Sequence, residues 1–225
     1  MFFDMFKKKK VVHKKQYPEV YEEKEIDILE EYIIERYGNF TNVFHEIVSP
    51  DIHVDIAIIP PRKENDYYTL ITMGMGAHKM NVPSELSKYN LERAELIINL
   101  PKDWDLQNTN DEIWYWPLRW LKILARLPIE QDTWLGFGHT VPSGEPVAED
   151  VLFNCMFLID DDSKVTVSKD KHINFYTIIP IYEEEMQFKF KNQAEGLLEL
   201  FEEKGISYPP VVDKKRKNVC IKDLS

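Results

Sequence analysis

Cysteine is scarce: the 225 residues hold two, Cys155 and Cys220, with no CxxC and no regular spacing. Neither a disulfide framework nor a zinc knuckle can be built from that pair, and nothing asks for an oxidising compartment. Cys155 lies inside the apolar run VLFNCMFLI and reads as a small buried hydrophobe. No apolar run approaches the roughly 18 residues that a membrane helix requires. The opening segment MFFDMFKKKK lacks the apolar centre of a signal peptide, and its lysines follow the hydrophobics instead of preceding them. A solvated terminus is expected there, with a weak surface anchor as the alternative. Positive charge is also in deficit. Lys and Arg number 28 against 39 Asp and Glu, a net charge of −11. No nucleic-acid partner and no membrane partner are expected, and the location is expected to be cytoplasmic. Such acidity could steer a basic partner, or serve solubility alone. The local cluster KKRK, Lys214–Lys217, reads as a solvated tail.

Chemical motifs are as scarce. His45-Glu46 begins like a zinc-protease helix, but the fifth position is Ser49 and the second histidine is missing. Gly74–Gly76, GMG, has neither the Lys-Ser/Thr of a phosphate loop nor the third glycine of a dinucleotide fingerprint, so a strand that bends at its end is expected. Asp160–Asp162 resembles the start of a calcium loop, yet Lys164 and Lys171 stand where ligands belong. His139 in GFGHT has no nucleophile set beside it in an elbow pattern. His53-x-Asp55 would place an imidazole and a carboxylate on one strand face, half of a metal site or of an acid–base pair. No cofactor is expected. The enzymatic alternative is a metal-dependent activity using His53, Asp55, His78 or His139.

What is present is a well-patterned globular chain, 44% hydrophobic and 30% charged. Residues 1–24 are polar and charged, and an arm is expected there, a domain over 25–205 and a tail over 206–225. Ile26, Leu29, Ile33 and Tyr37 share one face of a first helix, closed by Gly38. His53–Ile59 and Tyr67–Met75 alternate as two strands of a hairpin across Pro60-Pro61. Arg93–Leu100 forms a further strand, and Lys102–Tyr115 a polar loop. A central helix is expected to start at Pro117 and stop at Pro128, with Trp120, Ile123, Leu124 and Leu127 on its apolar face. Trp134–Val141 and Val151–Ile159 read as strands, Gly136 and Gly138 allowing another backbone close. Asp160–Asp162 is expected to turn the chain so that Lys164–Ser168 pairs back. Ile173–Tyr182 is β-branched and apolar, a central strand. Asn192 and Glu195 make a capping box for a last helix to Lys204. The fold class is α+β, a mostly antiparallel mixed sheet flanked by helices.

One non-catalytic feature bears on binding. Met73, Met75 and Met80 surround the irregular loop Gly74–Asn90, with His78 and Tyr89. Methionine is adaptable and serves equally as core filler and as a grip on another chain. Met73, Met75, His78, Met80 and Tyr89 are the candidate partner-binding residues.

Several segments together resemble the suppressor of fused domain, above all its bacterial members. They are HVDIAIIPP, YTLITMGMGAHKMNVP, RAELIINLPKDW, WPLRWLKILARLP followed by GHTV, and INFYTIIPIYEEEMQF leading into GLLELF, in the family's order. The resemblance implies a non-enzymatic protein-binding module. Animal members clamp a short peptide by strand addition between two lobes, of which this chain resembles the first. Bacterial members are associated with polymorphic toxin systems, so the resemblance implies an immunity protein that blocks a toxin domain. The alternative within binding proteins is a peptide-binding regulator working by β-augmentation.

Overall fold

The computed structural model describes residues 17–40 and 42–221. Expectations for residues 1–16, including the surface anchor, lie outside the described residues. In chain order the elements are α1 (Glu23–Tyr37), β1 (Asn42–Phe44), β2 (Asp55–Ile59), β3 (Tyr67–Met73), β4 (Ala94–Pro101), α2 (Glu112–Gln131), β5 (Thr140–Pro142), β6 (Cys155–Ser168), β7 (Lys171–Ile181) and α3 (Glu183–Glu203). Short 3-10 turns at Met75–Ala77 and Ser84–Tyr89 fill the loop between β3 and β4.

The strands form one seven-stranded sheet in the order β1-β2-β3-β4-β7-β6-β5. Every pairing is antiparallel except β4 with β7, which is parallel at the centre. This bears out the expected α+β class and places the 173–182 strand centrally. Side-chain alternation along β7 sorts the core into two layers. Tyr176 and Ile178 join the cluster under α2, with Trp116, Leu121 and Leu124. Ile173 and Phe175 meet Leu29 and Ile33 of α1, while Ile179 and Ile181 meet Met186, Leu197 and Phe201 of α3. Thus α1 and α3 share one face of the sheet, and α2 covers the other.

Several local expectations are corrected. α2 begins at Glu112, where the Asp111 side chain accepts from Ile113 N at 3.0 Å, and runs through both Pro117 and Pro128 to Gln131. A proline inside a helix costs about 3 kcal/mol. Burial of Trp116, Trp120, Leu121 and Leu124 against the sheet offsets that local cost. Closure comes at Asp132, in the left-handed region at φ 49°. The expected strand at 134–141 shrinks to Thr140–Pro142, because Gly138 turns at φ 79° and His139 N bonds back to Gly136 O at 3.1 Å. Asp160–Asp162 does not reverse the chain. β6 runs straight through, absorbing the aspartates as a register shift against β7 between Asp160 and Lys164, with Asp162 at φ 53°. Residues 164–168 therefore pair with β7, not with the first half of their own strand.

α3 starts nine residues before the expected cap at Asn192. Its first part buries Glu185 and Met186 and has little other apolar periodicity. Gln193, at φ 67° and ψ 178°, breaks the helix where a start was expected. Asn192 does not cap; its Nδ2 donates to Phe188 O. The KKRK cluster is not simply solvated. Lys214 Nζ stands 3.3 Å from the centroid of the Trp114 ring, and Arg216 reaches into the core to the buried Glu185. A buried carboxylate needs such a cation, and charge composition alone does not reveal it.

Candidate functional site

A concavity lies along the second part of α3, a groove of about 710 Å³ between that helix, β6, β7 and the 206–210 turn. Its floor is apolar, from Ile159, Ile179 and Phe201, all buried. Phe137 and Tyr208 stand at its lip, 41% and 67% exposed. Around that floor are five carboxylates, Asp160, Asp162, Glu195, Glu199 and Glu202, and no lysine, arginine or histidine.

Local structure explains the arrangement. Glu195, Glu199 and Glu202 recur at i, i+4 and i+7, one helical stripe, once the Gln193 break has re-aimed the helix. Asp160 and Asp162 face the groove from the β6 bulge, while Asp161 between them turns to α1. There its Oδ2 accepts from Tyr37 Oη at 2.6 Å, and Thr177 Oγ1 donates to Oδ1 at 3.2 Å. Burial, and then the neighbouring Asp162 and Asp161, push the Asp160 carboxyl above its ordinary range. None of the five groove carboxylates joins an ion pair among the described residues. Arg36 of α1 acts electrostatically on Tyr208 at the lip and is likewise unpaired with them.

The candidates from the sequence fall elsewhere. Met73, Met75 and Met80 are core residues, 5%, 1% and 2% exposed, so in this structure they present no surface to a partner. The GMG turn wraps a buried carboxylate: Gly74 N and Gly76 N each donate to Glu95 Oε1 at 3.0 Å, and Tyr21 Oη at 2.7 Å. Burial raises the Glu95 carboxyl despite these donors. Gly74, at φ 141°, also has no room for a Cβ, which would fall 1.9 Å from His53 O. His78 is held to Glu19 at 3.1 Å, and Tyr89 is on the surface, 53% exposed.

His53 and Asp55 do meet, Nε2 to Oδ1 at 3.1 Å. His45 Nδ1 lies 2.9 Å from the other oxygen of Asp55, and Ser49 Oγ lies 2.8 Å from His53 Nδ1. The cluster organises the β1–β2 loop, since Asp55 also accepts from Glu46 N at 2.8 Å. His139 is not part of it. Its ring packs edge-on to Trp134 at 4.3 Å, and burial, then Lys189, lower its pKa. Among the described residues no group of three or more His, Cys, Asp and Glu is placed to hold a metal ion. No helix among them is long and apolar enough to cross a membrane.

The groove residues were missed as a site, although their signal was present. The run Asp160–Asp162 was read against a calcium loop and as a turn, Glu195 as half of a capping box, and Glu199 and Glu202 carried no reading.

Sheet order and helix placement define an α+β domain, and its fold is that of suppressor of fused structures. The chain is similar to a suppressor of fused homologue from Neisseria gonorrhoeae, at TM-score 0.58 and 18% identity over 88% of this chain and 96% of that one. A Sufu–Fu complex structure matches at TM-score 0.63 and 13% identity, covering 90% and 93%. Drosophila Suppressor of Fused matches at 0.57 and 13%, and there the chain spans 86% of its own length but 50% of the relative's. By sequence it is 25% identical to the uncharacterized protein UU111 of Ureaplasma parvum, over 88% of this chain and 96% of that one. The model of the suppressor of fused protein family matches residues 50–217, and the chain belongs to that family.

Proposed function

We propose that the chain is a non-enzymatic, cytoplasmic docking module that holds a protein partner against the α3 groove, and that the partner is a toxin domain which it neutralises. The observation that carries this reading is the groove itself, an apolar floor ringed by five carboxylates without a cation. A preformed apolar centre with a polar rim is the anatomy of a protein-binding patch. The net charge of −11 would speed encounter with a basic target such as a nuclease. That a similar fold was solved as a Sufu–Fu complex supports docking as the mode of action. Groove docking is preferred to strand addition because the edge strands β1 and β5 are three residues each, a short template for a peptide strand. Tyr89 would be a secondary contact from the loop before β4.

The test is affinity capture from the native cell, read by mass spectrometry, followed by reconstitution with the purified partner. A stoichiometric partner whose toxic activity is abolished on mixing is the expected result. A stoichiometric partner with no toxic domain would remove the immunity role and leave docking. Turnover of a small molecule lost on His53→Ala would overturn the non-enzymatic reading.

A further inference from the structure

Resting on the docking reading, we infer a narrower ligand chemistry for the α3 groove: a short protein segment that carries lysines or arginines on both sides of an apolar anchor. The two walls carry charge of one sign. Glu195, Glu199 and Glu202 line the helical wall, with about 6 Å and 4.5 Å of helix rise between successive positions. Asp160 and Asp162 line the strand wall. Between them the floor of Ile179 and Phe201, with Leu198 beside it, offers nothing to a polar group. An anchor side chain on the floor and cations reaching to either wall satisfy all three surfaces at once.

Charge accounting separates this groove from the other acidic sites of the molecule. Glu25, Glu46 and Glu185 each have a lysine or arginine partner inside the fold. The groove carboxylates have no ion-pair partner among the described residues: Lys189 acts on Glu195 only through space, and Asp162 and Asp161 repel the Asp160 carboxylate. A docked cation would relieve that repulsion. Anionic occupants, such as a nucleic acid or an acidic lipid surface, would add to it.

The experiment uses the full chain and a fluorescein-labelled heptapeptide with four lysines around one central phenylalanine, read by fluorescence anisotropy. Two control peptides replace the lysines by glutamates, or the phenylalanine by alanine. The lysine–phenylalanine peptide should bind, and each control should bind roughly tenfold more weakly or worse, the loss of an ion pair or two or of one anchor. The double change Glu199→Gln with Glu202→Gln should weaken binding by about the same factor while the thermal melt stays in place. An equal change of charge on exposed α1, Asp27→Asn with Glu31→Gln, should leave affinity unaltered. Equal weakening by the α1 pair would reduce the effect to bulk acidity and overturn the site. So would equal binding of the glutamate peptide, or no binding at all. Binding that emerges only after deletion of residues 1–16 would make the chain's own lysine-rich segment the occupant, against a partner. A toxin-domain complex that survives the Glu199→Gln and Glu202→Gln changes would overturn this ligand assignment and spare the docking function. Groove binding of the peptide with no protein partner in the cell would do the reverse.

Discussion

Glu185 and Glu199 lie on the same helix, one on each side of the Gln193 break, and their surroundings are opposite. Glu185 is fully buried, held by Arg216 Nη1 and Nη2 at 2.6 and 2.7 Å and by Val219 N at 2.9 Å. Glu199 faces a groove whose only charges match its own. Every donor around the first carboxylate belongs to the fold, so its interactions are spent on stability. The second has no internal partner, so its field is left for whatever docks. The same contrast sets Glu46, bonded to Arg126, Ser49 and Val54 N, against Asp160, crowded by Asp161 and Asp162.

The largest effect should come from opening a saturated site. Arg216→Ala leaves Glu185 buried without its cation and should cost about 3–5 kcal/mol, read by chemical denaturation. A loss near zero would mean that the two classes of carboxylate do not differ. Acid titration should show the next effect. Burial pushes the Glu46 and Asp55 carboxyls up, but hydrogen bonds outweigh it and hold both below their ordinary ranges. They come from Val54 N, Ser49 and Arg126 to Glu46, and from Glu46 N and His45 to Asp55. A lowered folded value means stability that is fully present above the ordinary carboxylate range and lost as pH falls through the lowered value. The midpoint of urea unfolding should therefore fall on acidification below that range.

Asp160 should behave with the opposite sign. Its carboxyl is raised, so the charged form disfavours the fold above that raised value, and the penalty vanishes on protonation. Asp160→Asn should leave stability equal or slightly higher at neutral pH, and the difference from the parent chain should close in acid. A clear loss at neutral pH would place Asp160 with the structural carboxylates. The smallest effect belongs to Glu199→Gln and Glu202→Gln, each expected within about 0.5 kcal/mol of the parent, as thermal melts would show.

The sheet was more legible than the site, and the reasons are local. β2, β3, β4 and β7 announce themselves by alternation or by continuous apolar runs, and α1 by its stripe of Leu29 and Ile33. α2 was misplaced at both ends because its prolines act as boundaries in isolation and are overruled by tryptophan and leucine burial. The first turns of α3 were invisible because they bury a glutamate, and that depends on an arginine 31 residues away in sequence. The groove was illegible for the same reason: its walls come from β6 and α3, and only the fold puts one acidic run opposite the other. The methionines around the β3–β4 loop stood equally for core and surface, and burial places all three in the core.

The parallel seam between β4 and β7 has a consequence for how the chain is made. β4 ends at Pro101 and β7 begins at Lys171, so the inner edge of the β1–β4 meander has no strand to pair with until the far one has been synthesised. At roughly 5–20 residues per second, that interval is on the order of several seconds. For that time an unpaired edge rich in isoleucine and leucine is open to other nascent chains. Ribosome-bound fragments ending before β7 should therefore be the species that aggregates and recruits chaperones, and extension through Ile181 should release them.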